Sequence, residues 1–226
     1  MSHFWTVSVL RFVSSFFIIA VCVGIYSYPG GNIHDVNQVG YSLTHNFLSD
    51  LGGYQSHSGD VNFIASFFFN VGMFLFVAVG IGFLYVPALF IEDRVNYYLA
   101  IVGSALFFLG TSFFAGVGLT PYDLYLDLHV FFAINAFRFL VPASLLYFIM
   151  LLRSSVANRF ALVTGVYLVC VVAYVAYQIM GGNPFDSAEE MVRQASIQKL
   201  IVIASVVSVF SLSFAFEHQA RLKTTH

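Results

Sequence analysis

The sequence has very little charge. Of its 226 residues only 9% are Asp, Glu, Lys or Arg, whereas 59% are hydrophobic. Soluble domains carry about 25% charged residues, so this composition excludes a water-soluble globular protein. The formal net charge is −2, and no basic stretch is available to neutralise a row of phosphates, so we expect no nucleic-acid partner.

The motifs of several common catalytic classes are also missing. There is no glycine-rich phosphate loop, no Gly-x-Ser-x-Gly elbow and no His-Glu-x-x-His pair. The cysteines, Cys22 and Cys170, lie inside apolar runs, where they are most simply read as small hydrophobic residues. These absences leave open whether the protein is an enzyme.

Long apolar runs are what the sequence does have. A membrane-spanning helix needs about 20 largely apolar residues, and its backbone polar groups must pair within the helix. We predict an all-α, polytopic integral membrane bundle of six transmembrane helices, forming one domain over residues 1–226. The predicted spans are about 5–26, 63–91, 97–119, 130–152, 160–180 and 200–216. We expect the first to be retained, because no convincing signal-cleavage site follows it.

The positions of Lys and Arg predict the orientation of the bundle. The basic residues that flank the spans on one side are Arg11, Arg94, Arg153, Arg159, Arg221 and Lys223. The other side has only Arg193 and Lys199. Since cytoplasmic flanks are enriched in Lys and Arg, both termini are predicted to be cytoplasmic, with the protein in the cell (plasma or inner) membrane.

The predicted outer loop, residues 27–62, carries three of the seven histidines and several aspartates. Its stretch 41–53 has apolar residues at helical spacing and ends in Gly52-Gly53, which predicts a short helix. We expect His34 and His57 in this loop to be exposed to solvent.

The fourth helix is the most polar of the predicted spans at its outer end. Thr120 followed by Pro121 is typical of a helix start, so we predict that the helix begins near Pro121. At about 100° per residue, Asp127 and Arg138 then share a face, whereas His129 lies opposite and faces another helix. Because a charge inside a span is costly, Arg138 is expected to be buried, either in an internal ion pair or against an anionic headgroup.

A metal site is one interpretation of the polar residues on the outer side. His45, Asp50, Asp127 and His129 offer two imidazoles and two carboxylates, a set that suits zinc. In that hypothesis Asp50, Asp127, His129 and Arg138 are the catalytic residues: zinc activates water, and Arg138 binds the headgroup or the oxyanion. The alternative is that these residues cap loops and helix ends, because their spacing matches no established ligand motif.

Three short motifs resemble those of a known family. Ser49-Asp50-Leu51-Gly52 follows the first span, Gly118-Leu-Thr-Pro-Tyr-Asp123 precedes His129, and Gln198-Lys199 precedes the last span. Together they resemble a prokaryotic six-helix membrane family of unknown function (DUF family 998), over nearly the whole chain. That family is similar in layout to membrane proteins that remodel lipid anchors and, more distantly, to ceramidase-like hydrolases that hold zinc with His and Asp. The resemblance implies lipid-related work.

The leading functional prediction is a lipid-interacting membrane protein with an outward-facing polar pocket, in one version a metal-dependent lipid hydrolase. The Ser-x-x-x-His pattern of the ceramidase-like hydrolases is not reproduced, since Ser42 and His45 are one residue too close. The alternatives are a non-catalytic accessory or scaffold subunit that packs against other transmembrane subunits, and a small transporter.

Overall fold

The structure, a computed structural model, describes residues 3–224. The helices are α1 (Leu10–Ser27, preceded by a π-helical segment, Phe4–Val9), α2 (Phe63–Leu84), α3 (Arg94–Leu119), α4 (Leu126–Arg153), α5 (Asn158–Met180) and α6 (Ala188–Thr224). Short 3-10 helices cover Leu48–Gly52 and Val86–Phe90. All six long helices are apolar and long enough to cross a membrane, which confirms the predicted all-α membrane bundle.

Neighbours in sequence pack as neighbours in space, and α6 returns against α1 to close the bundle. We call the end that carries residues 28–62 the loop end, and the opposite end the terminal end. Aromatic rings fill the terminal half: the Phe83 ring stacks on Phe107 with centroids 3.7 Å apart and meets Tyr147 edge-on at 5.2 Å. This half is densely packed, whereas cavities lie towards the loop end.

One predicted helix start is wrong. The fourth helix begins at Leu126 instead of Pro121, because the Thr120 hydroxyl donates to the Gly116 carbonyl oxygen at 2.7 Å and so completes α3. Residues 121–124 form a turn instead. The last helix begins at Ala188 and includes the predicted span 200–216, because its amphipathic first turns continue directly into the apolar part.

The long loop folds back over the bundle with only one short 3-10 helix, so the predicted helix over 41–53 is also wrong. Asn46 is buried and redirects the backbone: its Oδ1 accepts from the Ser42 amide at 2.9 Å, and its Nδ2 donates to the Gly31 carbonyl at 2.8 Å. Such side-chain hydrogen bonds compete with helical ones. Gly31 has a φ of +78° and lies directly against His57 and Ser58. Two segments of the loop cross at this point, and the crossing requires glycine.

Gly53 directly follows the 3-10 helix Leu48–Gly52 and is needed there for close approach. A Cβ added there lies 2.5 Å from Cε1 of Tyr122 and 2.8 Å from the Gln55 carbonyl oxygen. We expect Gly53→Ala to lower the free energy of unfolding by about 1–3 kcal/mol through overpacking. Gly182→Ala is the matched control, since its new Cβ meets nothing closer than 3.4 Å. Chemical unfolding of both variants measures the difference, and equal stability of the two contradicts the packing account.

Candidate ligand-binding cavity

Polar side chains of α6 and of the turn before α4 fasten the loop to the loop end of the bundle. The Asp123 carboxylate, just before α4, accepts from the backbone amides of Tyr54 and Gln55 at 3.0 and 2.9 Å. On α6, Gln198 Oε1 accepts from the Leu48 amide at 2.6 Å, and the Lys199 ammonium donates to the Asn46 carbonyl. The Gln198-Lys199 motif therefore positions the loop.

Asp50 is the buried acid of this loop, with only 4% of its surface exposed. Its Oδ2 accepts from Asn46 Nδ2 at 3.0 Å and from the Phe47 amide at 2.9 Å. Its Oδ1 lies 3.4 Å from His57 Nε2, but the geometry of this contact is not that of a hydrogen bond. The His57 ring in turn packs against the Tyr122 ring, with centroids 5.0 Å apart. These two donors satisfy Oδ2, and they hold the Asp50 carboxylate beside the imidazole ring of His57.

A cavity of about 430 Å³ lies beside Asp50 and His57. Its walls come from the loop, the first turns of α4, the last turns of α5, the segment 181–185 and the start of α6. Most of the wall is apolar, and its polar members include Asp50, His57, His129, Gln178 and Gln198. We call this the wide cavity.

His129 is positioned on the bundle side of the wide cavity. It is buried, as the helical spacing predicts, and its Nδ1 lies 2.7 Å from the Thr120 carbonyl oxygen. A carbonyl can only accept, so Nδ1 carries the proton, and in the neutral ring Nε2 is left as an acceptor. Gln178 contributes a second unused acceptor, since its buried Oε1 has no hydrogen-bond partner.

A second, smaller cavity of about 60 Å³ continues towards the middle of the bundle. It is lined mainly by side chains of α2, α3, α4 and α6, among them Phe76, Phe114 and Val202. The two cavities share the residues Ser49, His129, Ala133 and Gln198. We call the smaller one the narrow cavity and the shared residues the neck. The two cavities thus adjoin at the neck, and the wide cavity has more polar lining groups than the narrow one.

The charge of the wide cavity is one-sided. Among the residues that the structure describes, the lining includes Asp50 and neither Lys nor Arg. Lys199, which holds the loop, donates its hydrogen bonds to the backbone carbonyls of Asn46 and Ala195. The cavity is therefore rich in hydrogen-bond acceptors and suits a ligand that brings donors and no negative charge.

The structure brings together only part of the predicted site. Asp50 and His129 line the wide cavity. His45 is exposed and bonded within its own turn to Thr44 at 2.8 Å, and Asp127 is exposed on α4. Within residues 3–224 no three His, Cys, Asp or Glu side chains are grouped so that they could hold a metal ion, and the proposed zinc ligands do not fit as a set.

The prediction that Arg138 is buried is wrong. Its side chain is exposed on the surface of α4, away from the cavity that His129 lines. The helical spacing correctly separated Arg138 from His129, but a helical wheel alone does not say which face turns inward. Arg138 therefore belongs to a different surface from the candidate site.

Sequence reasoning missed His57 and Tyr122. His57 was expected to be exposed, yet only 18% of its side chain is, because the crossing at Gly31 brings it over Asp50. Nothing in the local sequence signals that crossing. Tyr122 lies inside the Thr-Pro-Tyr-Asp stretch that carries the family resemblance, but no role was predicted for it.

Three tyrosines at the loop end, Tyr28, Tyr41 and Tyr122, have a raised pKa, first because burial disfavours the phenolate and second because the Asp50 carboxylate is near. A raised pKa in the folded state contributes stability that is complete below about pH 10 and is lost as the pH rises through the folded values. In an alkaline titration we expect the tyrosinate absorbance of these three to appear above the ordinary pKa of tyrosine, together with opening of the loop. Their ionisation at the ordinary pKa, with the loop still closed, contradicts this.

Comparison of the chain with protein-family models, with curated proteins and with solved structures yields no match, so the resemblance stays a prediction and the site is interpreted from its own geometry.

Proposed function

We propose that this protein is an integral membrane protein that binds a single-chain lipid at the loop end, with the head in the wide cavity and the chain through the neck into the narrow cavity. The observation that carries the proposal is that the two cavities adjoin and share the lining residues Ser49, His129, Ala133 and Gln198. An amphipathic ligand matches a cavity with several polar lining groups beside a largely apolar one. The small size of the narrow cavity favours one chain over two.

The head group is uncharged and carries hydroxyl or amide donors. Asp50, His129 Nε2 and Gln178 Oε1 are acceptors at the wide cavity, and no basic lining residue is present among residues 3–224 to balance a phosphate or a carboxylate. Burying an unpaired anion beside Asp50 is unfavourable. Monoacylglycerols and N-acyl amides have this chemistry. Metal-dependent hydrolysis is not part of the proposal, since its ligand set does not fit.

The loop end faces away from the cytoplasm in this proposal, with both termini cytoplasmic and the protein in the cell membrane. The support is the concentration of Lys and Arg at the terminal end. With both native cysteines replaced, a cysteine at the exposed Val36 is expected to react with an impermeant maleimide added to intact cells, whereas one at the exposed Glu92 is not. The reverse labelling pattern overturns the orientation.

Binding of radiolabelled monooleoylglycerol to the protein in phosphatidylcholine nanodiscs tests the proposed function. We expect saturable binding that unlabelled monooleoylglycerol displaces. Lysophosphatidate with the same chain is expected to compete at least about tenfold less well, because its phosphate meets Asp50 and no basic partner. Binding indistinguishable from that of empty nanodiscs refutes the proposal, and stronger competition by lysophosphatidate refutes the head-group assignment.

A further inference from the structure

Arg138 lies near the middle of a membrane-spanning helix. It stands 12 residues after Leu126 and 15 before Arg153, the two ends of α4. At 1.5 Å per residue these separations are about 18 Å and 22 Å. The apolar core of a bilayer is about 30 Å thick, so the Cα of Arg138 sits close to its midplane. An arginine side chain is too short to reach either interface from there without distorting the bilayer.

The guanidinium of Arg138 has no partner within the part of the chain that the structure describes. Its side chain is exposed, and no hydrogen bond or ion pair joins it to any residue from 3 to 224. No Asp or Glu lies at comparable depth in any of the six helices; Asp127 is in the first turn of α4, and the acids of α6 lie near its two ends. A charged group left this way in lipid costs several kcal/mol.

The surface around Arg138 carries polar groups other than the guanidinium. Pro142, four residues on, has no N–H, so the Arg138 carbonyl oxygen lacks its usual helical donor. Asn135, one turn earlier, uses its amide nitrogen on its own helix, at the Phe131 carbonyl, and leaves Oδ1 available. The exposed residues Phe131 and Leu145 lie within about 20° of Arg138 around the helix. We call this stripe, from Phe131 to Leu145, the arginine face.

We propose that the arginine face is the binding surface for a transmembrane helix of a different protein, and that this helix carries an Asp or Glu near the middle of its span. An ion pair within the membrane removes the cost of the isolated guanidinium, and the free carbonyl and Oδ1 accept further hydrogen bonds. A second copy of this chain is a poor occupant, because it offers no carboxylate at that depth and a symmetric contact brings two Arg138 side chains together.

Labelled model helices in phosphatidylcholine vesicles test this proposal against the full-length protein by energy transfer. The probes are leucine-rich transmembrane peptides that are identical except for a central Glu or a central Leu. We expect the Glu peptide to associate about tenfold more tightly than the Leu peptide. Arg138→Leu is expected to abolish that preference and Arg138→Lys to retain it, whereas Arg138→Glu is expected to transfer the preference to a peptide with a central Lys.

The Arg138 side chain is exposed and has no hydrogen bond or ion pair with residues 3–224, so these variants are expected to fold like the wild type, and chemical unfolding checks that independently. Leu145→Ala, on the same face, is the matched control and should keep the preference for Glu. Equal association of the Glu and Leu peptides with the wild type overturns the proposal. So does self-association through this face, which Leu145→Cys, with Arg138 in place, captures as a disulfide-linked dimer.

Discussion

Asp50→Ala lowers the free energy of unfolding by about 2–4 kcal/mol, because it leaves buried donors without an acceptor. The lost acceptor is Oδ2, which receives hydrogen bonds from the Asn46 side chain and the Phe47 amide. His57 also loses the carboxylate 3.4 Å from its Nε2. Chemical unfolding in nanodiscs measures the loss, and hydrogen exchange is expected to rise first in residues 28–62.

Asp50→Asn and Asp127→Ala separate the buried contacts from general charge effects. The asparagine keeps an oxygen that can accept from the same two donors, so its cost is expected to be smaller than that of alanine. Asp127 is exposed and makes no hydrogen bond with any residue in 3–224, so its removal changes stability by no more than about 0.5 kcal/mol. If Asp50→Ala is as mild as Asp127→Ala, Asp50 does not hold the loop.

Ala133→Phe abolishes the dependence of lipid affinity on chain length. Ala133 lines both cavities at the neck, and a phenyl ring there closes the passage to the narrow cavity. Each methylene that is no longer buried against an apolar wall weakens the binding free energy by about 0.8 kcal/mol. The loss of two such methylenes therefore lowers the affinity more than tenfold. Competition between monoacylglycerols of short, medium and long chain in nanodiscs measures the effect.

Leu145→Phe is the control for the added ring, because it places the same bulk on the exposed face of the same helix. We expect wild-type chain-length dependence in that variant. Ala133→Gly leaves the neck open and should also preserve it. If Ala133→Phe binds long-chain monoacylglycerol as the wild type does, the chain does not pass through the neck.

The helices could be predicted from sequence because their signal is local. Runs of apolar residues determine a span wherever the rest of the chain lies, so six spans were found. The start of α4 was misplaced because it depends on a particular contact: the Thr120 hydroxyl donates to a carbonyl of α3.

The cavity could be predicted only in part, because contacts distant in sequence build it. Asp50 and His129 stood out as polar residues next to apolar runs, and both line the wide cavity. His57 reaches Asp50 only through the loop crossing at Gly31, which no local pattern announces. Arg138 illustrates the opposite error: a charge inside a span was assumed to face inward, whereas packing of the bundle turns it outward.

The most direct test of the account is to locate the lipid chain by photolabelling. A monoacylglycerol with a diazirine at the end of its chain is irradiated with the protein in nanodiscs, and labelled residues are identified by mass spectrometry. The account predicts labelling at the narrow cavity, around Phe76, Phe114 or Val202, that excess monooleoylglycerol prevents and Ala133→Phe abolishes. Labelling confined to exposed positions such as Val169, unaffected by the competitor, contradicts it.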